Sequence, residues 1–276
     1  MENDIINETI PDELFHYTSI STLALILKNR SIRFRRLDLM DDPNESMSSD
    51  FGRQGKYIMI SCWTSKKEEE LLTWSLYTND LHGVRIGLPI SPFEKRFRVT
   101  QKQLSINISD IDEIDSYISH EHIFNDRYNV PGIDFENSLV RVQYSDDPRL
   151  LNPRVNYGNA ILLSELGKYK HTIWKSQEEW RYSFPVFPMT REMQRKLKEP
   201  NGEFEFGKLM MEALWKEQDP GIQHLDIPIS DESIKKMSIV IGPRTDAAEE
   251  ILLNSLLKEF APWIIPQKSS IYKMIV

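Results

Sequence analysis

Glu179 and Arg181 stand two residues apart in the run TIWKSQEEWRY. On a β-strand that spacing sends both side chains to one face and Trp180 and Tyr182 to the other. A carboxylate beside a guanidinium stays ionised and keeps one orientation, so it can accept a hydrogen bond from a sugar hydroxyl or face a developing positive charge. As a partly exposed pair with no other duty it contributes little, on the order of 0–1 kcal/mol. A second polar patch is written in LFHYTS, where alternation places Leu14, His16 and Thr18 on one face and Phe15 and Tyr17 on the other. A histidine on a short strand is most simply a hydrogen-bonded core residue, but Thr18 beside it makes a small polar surface. Arg33 and Arg35 alternate with Ile32 and Phe34 in SIRFRR. They form a solvated strand face or, in a sharper reading, a phosphate contact.

The elements that must position these residues follow from periodicity. Leu14 to Thr18 predicts a strand, and Ser19 or Thr18 caps a helix in which Ile20, Leu23, Ala24 and Leu27 recur until Asn29. Ser31 to Leu37 predicts a second strand, closed by the turn DDPNE. Tyr57 to Thr64 predicts a buried strand. A helix is expected from Ser65 or Thr64 through Glu68, Glu69 and Glu70, with Leu71, Trp74 and Tyr77 at three-residue steps on one face. Trp74 and Tyr77 read first as core aromatics, with Tyr77 able to line a cleft. Further strands are expected at Val84 to Leu88 after Gly83, at Ser138 to Tyr144, at Glu179 to Val186, at Met237 to Ile241 and near Ile271 to Ile275. Helices are expected at Ala160 to Lys168 and, strongly amphipathic, at Ala247 to Phe260.

Mixed strands and helices without steady alternation indicate an α+β fold. We expect a single domain over 1–276, with a mixed, mostly antiparallel sheet flanked by helices and insertions at about 91–131 and 190–226. The second insertion carries the basic helical run REMQRKLK. A chain of 276 residues with 40% hydrophobic content buries a sizeable core. The net charge of -8 rules out attraction of the whole molecule to nucleic acid or an anionic membrane by its overall field. One cysteine, Cys62, excludes an internal disulfide and a cysteine-rich zinc site and suits a reducing compartment. The acidic start MENDIINETIPDEL has no signal-peptide pattern and no apolar run is long enough to span a bilayer, so the expectation is cytoplasmic, without a membrane partner. There is no Walker loop, dinucleotide glycine fingerprint, zincin helix or nucleophile elbow.

The motifs LFHYTS, DDPNE, ISCW, TWSLY with HGVRIGL, KHTIW with EEWRY, and IVIGP together resemble, in order and over about Leu14 to Val276, the uncharacterised bacterial and phage family numbered 2971 among domains of unknown function. One departure is Asp41, where that family usually has asparagine before Asp-Pro. A histidine on a first strand, then helix, then strand, with a glutamate on a late strand, also looks like the toxin-type ADP-ribosyltransferases, whose split sheet is compatible with the expected fold. That resemblance implies NAD as substrate and no metal. His16, with Tyr17 and Thr18, would hold the adenosine-side ribose, Tyr77 would stack on nicotinamide and Glu179 would anchor the nicotinamide ribose and the acceptor. Trp74, Arg33, Arg35 and Arg181 would complete the cofactor-binding set. Breaking the bond to a cationic nicotinamide needs no metal because the leaving group already carries its charge; an anchored substrate and a nearby carboxylate suffice.

Three readings follow. The first is an ADP-ribosyltransferase-like enzyme that uses NAD, either transferring ADP-ribose to a nucleic-acid or protein acceptor or hydrolysing NAD, in a toxin or phage-defence setting. The second is a non-catalytic module that senses a nucleotide or a phage component. The third, ranked last, is a metal-dependent nuclease using Asp42, Glu45, Glu178 and Glu179 with Lys175, whose spacing fits no nuclease motif. Asp42 and Glu45 read more simply as turn residues.

Overall fold

The computed structural model describes residues 10–100, 113–135, 138–158, 161–272 and 274. The acidic start 1–9, residues 101–112 of the expected insertion, Ala160, Lys273, Ile275 and Val276 lie outside the described residues. The fold is α+β, with mostly antiparallel strands and flanking helices. From Glu13 the chain runs through β1 (Glu13–Thr18), α1 (Ile20–Asn29), β2 (Ser31–Arg36), β3 (Ile58–Thr64), α2 (Leu71–Tyr77) and β4 (Val84–Pro89). There follow β5 (Phe97–Thr100), β6 (Glu113–Ser116), β7 (Leu139–Arg141), β8 (Glu179–Pro185), α3 (Arg191–Lys198), α4 (Glu203–Trp215) and β9 (His224–Pro228). The last elements are β10 (Ser238–Ile241), α5 (Ala247–Phe260) and β11 (Gln267–Lys268). Contacts fall into two compact units, Met1–Leu27 with Trp63–Pro92 and Asp231–Val276, and Lys28–Cys62 with Phe93–Ser230.

In the first unit β1 pairs antiparallel with β4 over its whole length, from Glu13 opposite Pro89 to Thr18 opposite Val84. β10 lies antiparallel on the other side of β4, and β11 runs parallel to β10. Ser19 caps α1 as expected, its hydroxyl accepting from the Thr22 amide at 3.1 Å. Gly83 is required by close approach: a Cβ there would lie 2.5 Å from the Thr18 carbonyl oxygen and 2.8 Å from Thr78 Cβ. Tyr17, Trp74 and Leu81 form one buried apolar cluster of this unit. Helix α5 carries the full capping box, Asp246 with Glu249, but buries only Leu253 and Leu257.

In the second unit β7 is antiparallel to β8, β8 neighbours β3, and β2 lies antiparallel to both β3 and β9. Strand β2 alternates as its sequence requires, Ile32, Phe34 and Arg36 being buried and Arg33 and Arg35 exposed. Phe34 packs against Phe93, Phe135 and Phe184 with ring centroids 5.1–5.5 Å apart. Tyr57, Leu37, Ile58 and Ile60 make a second apolar cluster with Val155, Leu163 and Leu214. Both expected insertions fall almost wholly in this unit. The first includes the β5–β6 pair, and the second includes α3 and α4.

Three expected elements differ. The helix expected from Ser65 begins only at Leu71, because the acidic run before it is used otherwise: Lys66 pairs with Glu70, and the Glu69 carboxylate accepts from Trp74 Nε1 and the Ser270 amide. Steps of three residues advance 300°, so Leu71 and Tyr77 flank Trp74 instead of joining it: they are 48% and 37% exposed, and Trp74 is 0%. In place of a helix over Ala160 to Lys168 there is a single turn, Leu163–Glu165; the Leu162 amide is committed to the Val155 carbonyl and Ile161 bridges Asn156. The last strand is Gln267–Lys268, and Ile271 begins a turn in which the Met274 amide bonds back to the Ile271 carbonyl. Among the described residues no helix is long and apolar enough to cross a membrane.

Candidate functional site

Strand β8 opens at Glu179, directly after a 3-10 turn over Thr172–Gln177 and after Glu178 in the left-handed conformation at φ 41°. Glu179 and Arg181 share a face, and the side chains meet: Arg181 Nε donates to Glu179 Oε1 at 2.5 Å and Nη2 to Oε2 at 3.0 Å. Two further charges complete the cluster. Lys170 Nζ donates to Glu179 Oε2 at 2.8 Å and to Gln177 Oε1 at 2.8 Å. Arg181 Nη1 pairs with Glu45 Oε2 and donates to the Gly167 carbonyl at 2.9 Å. Glu45 Oε1 lies 3.2 Å from Lys170 Nζ, within ion-pair reach but without a hydrogen bond. All four side chains are buried, Glu45 at 3%, Lys170 at 4%, Glu179 at 5% and Arg181 at 2% exposed. Two acids and two bases make the group neutral, which is the condition under which charges are tolerated away from water.

Burial by itself pushes the Glu179 carboxyl up, but Arg181 and then Lys170 outweigh it, with a hydrogen bond from the Cys62 thiol helping, and hold it at about 2. Burial also pushes the Cys62 thiol up, and the Glu179 charge pushes it further. The Tyr144 hydroxyl accepts from the Glu179 amide at 3.0 Å, and burial raises the Tyr144 phenol. A carboxyl lying near 2 in the folded chain and near 4.3 when unfolded adds stability that is present above about pH 4.3 and lost as pH falls toward 2. The amount is on the order of 3 kcal/mol. Urea unfolding between pH 6 and 2.5 is therefore expected to show a decline below pH 5 that is shallower in Glu179→Gln, because Glu69, Asp219 and Asp226, also held below the usual carboxylate range, still protonate. Equal slopes for the two proteins would refute this origin.

The cluster draws together four of the short motifs: Glu45 from DDPNE, Cys62 from ISCW, Lys170 from KHTIW, and Glu179 with Arg181 from EEWRY. Sequence reasoning paired Glu179 with Arg181 but missed Lys170 and read Glu45 as a turn residue. Lys170 lies in a two-residue strand, Tyr169–Lys170, too short to show alternation. Asp42, also buried, caps the Pro43–Ser46 turn by accepting from the Asn44 amide at 2.9 Å. Among the described residues no group of three or more His, Cys, Asp or Glu side chains could hold a metal. Glu45 and Glu179, two of the acids of the nuclease reading, are already neutralised by Lys170 and Arg181.

The remaining candidates divide between the units. In the first, His16 on β1 is half-buried, its ring centroid 5.1 Å from that of Trp63 at 44°, and Thr18 is buried. Tyr17 and Trp74 interlock edge to face at 4.8 Å, and burial raises the Tyr17 phenol. Each is core, whereas Tyr77 is 37% exposed on α2. In the second unit Arg33 clamps Asp226 with Nε and Nη2 at 2.8 and 2.9 Å, and its neighbour Arg35 is exposed. No protein-family model matches this chain, and neither the curated proteins nor the solved structures include one similar to it.

Proposed function

We propose that the chain is a nucleotide-recognising module, like the ADP-ribosyltransferases in carrying a first-strand histidine and a late-strand glutamate, with His16 at its binding surface and Glu179 in a supporting role. The observation that carries this reading is the state of Glu179: Arg181 and Lys170 take both carboxylate oxygens, and the residue is 5% exposed. To accept a ribose hydroxyl it would have to give up a cation inside a water-poor cluster, at a cost comparable to breaking a buried ion pair. His16 is half-buried beside an aromatic ring, so part of the residue faces solvent, and the histidine is a residue type that serves as a ligand contact. The candidate ligand is NAD or another nucleotide; a phage component is the other class such a module would sense.

The enzymatic reading, ADP-ribosyl transfer to nucleic acid or protein or hydrolysis of NAD, draws on a different property of the same residue. Glu179 is fully ionised at neutral pH and fixed at the start of a late strand, which is what an oxocarbenium-like transition state wants from a carboxylate. Incubating the pure chain with NAD, with calorimetry for binding and chromatography for free nicotinamide, separates the two. The module reading expects heat of binding, weakened about tenfold or more in His16→Ala, and no nicotinamide. Nicotinamide release that disappears in a folded Glu179→Gln variant would establish the enzyme instead. Absence of both binding and nicotinamide release would overturn the nucleotide reading altogether.

A further inference from the structure

Among the described residues, the first unit holds a buried cation that no acid answers. Arg85 lies on β4 opposite Tyr17 of β1 and is 8% exposed. Its guanidinium carbon sits 4.5 Å from the centroid of the Phe15 ring and 5.9 Å from that of Tyr17. Nη1 donates to the Lys67 carbonyl at 2.8 Å, the side chain also lies in hydrogen-bonding reach of the Tyr17 hydroxyl, and Nε has no hydrogen-bond partner among the described residues. Among the described residues no carboxylate oxygen comes within 4.0 Å of the guanidinium. Glu69, an acid whose field reaches the neighbouring Tyr17, is engaged with Trp74 Nε1, Ser269 Oγ and the Ser270 amide.

The other buried arginines among the described residues, Arg36 and Arg181, are 7% and 2% exposed. Each lays its Nε and Nη2 side-on against one carboxylate: Asp38 at 2.9 and 2.6 Å on Arg36, Glu179 at 2.5 and 3.0 Å on Arg181. Burying a guanidinium without a counter-charge is costly, and two aromatic rings, one carbonyl and the Tyr17 hydroxyl return only part of that cost. A protein keeps such a charge where a ligand supplies the missing partner, accepting lower stability without it.

We propose that Arg85 anchors an anion-binding site in the first unit, taking the phosphate or carboxylate group of a ligand side-on at Nε and the adjoining terminal nitrogen, as Asp38 sits on Arg36. The site does not depend on NAD being the ligand, since any phosphate-bearing or carboxylate-bearing molecule presents the same pair of oxygens. Thermal unfolding of the whole chain tests it, with sodium pyrophosphate or sodium succinate added against sodium chloride of equal ionic strength. One of the two anions is expected to raise the melting temperature with concentration, as binding to the folded state requires, and which one does so identifies phosphate or carboxylate. Arg85→Met keeps an apolar stem over Phe15 and is expected to melt at or above the wild type in chloride, with no response to either anion. Arg85→Lys keeps the charge without the side-on edge and is expected to bind the effective anion about tenfold more weakly. The proposal is overturned if neither anion moves the wild type, if Arg85→Met still responds, if Arg85→Lys binds as tightly as arginine, or if Arg85→Met melts well below the wild type.

Discussion

Arg181→Met is expected to lower the free energy of unfolding by about 3–5 kcal/mol, the cost of leaving a buried charge without its partner. Arg181 answers two acids at once, pairing with Glu179 through Nε and Nη2 and with Glu45 through Nη1. Its removal leaves two carboxylates facing Lys170 alone, a net charge of about -1 in a region where all four side chains are 5% exposed or less. Methionine fills much of the volume, so the loss measures charge more than cavity. The companion experiment is Arg181→Met with Glu179→Met, which restores neutrality around the Lys170–Glu45 pair. Urea titration should show the double variant recovering at least half of what the single variant lost. If instead the two substitutions add, the charges do not act as a set.

Trp74→Ala is expected to cost a similar amount, about 3–5 kcal/mol, through the cavity left by a fully buried indole. Trp74 packs edge to face on Tyr17 at 4.8 Å and gives its Nε1 hydrogen to Glu69 at 3.0 Å. Both contacts disappear together, and Glu69 retains only its bonds from Ser269 and Ser270. Trp74→Phe keeps most of the packing and loses the hydrogen bond, so it should fall by roughly 1–2 kcal/mol. Faster hydrogen exchange at β1 and β4 amides would report the loss where it occurs. Unchanged protection there would mean that Trp74 is not the keystone of the first unit's core.

Local order was legible where one chemical rule decided it. Alternation identified β1 and β2 and which side of β2 carries Arg33 and Arg35; the hydroxyl of Ser19 announced α1; and a two-residue spacing put Glu179 beside Arg181. Residues 65–70 misled because acidic side chains favour a helix start only when nothing else claims them, and here Trp74, Ser269 and Ser270 claim Glu69. The partners of the Glu179 pair were out of reach for a different reason. Arg181 and Glu45 are 136 residues apart in sequence, and no local periodicity encodes such a meeting. Arg33 looked like a free cation because its counter-ion, Asp226, arrives on β9 from 193 residues away.

A neutral group of four charges drawn from three separate segments ties the mutational histories of those segments together. No member can change sign, shrink or vanish alone without leaving its partners exposed to the same penalty, so single steps away from Glu45, Lys170, Glu179 or Arg181 all lead downhill. Escape requires a compensated pair, acid with base, or the replacement of all four by packed apolar residues. That epistasis would preserve DDPNE, KHTIW and EEWRY as a set whether or not any one of them touches a ligand, and it separates persistence of a motif from participation in chemistry.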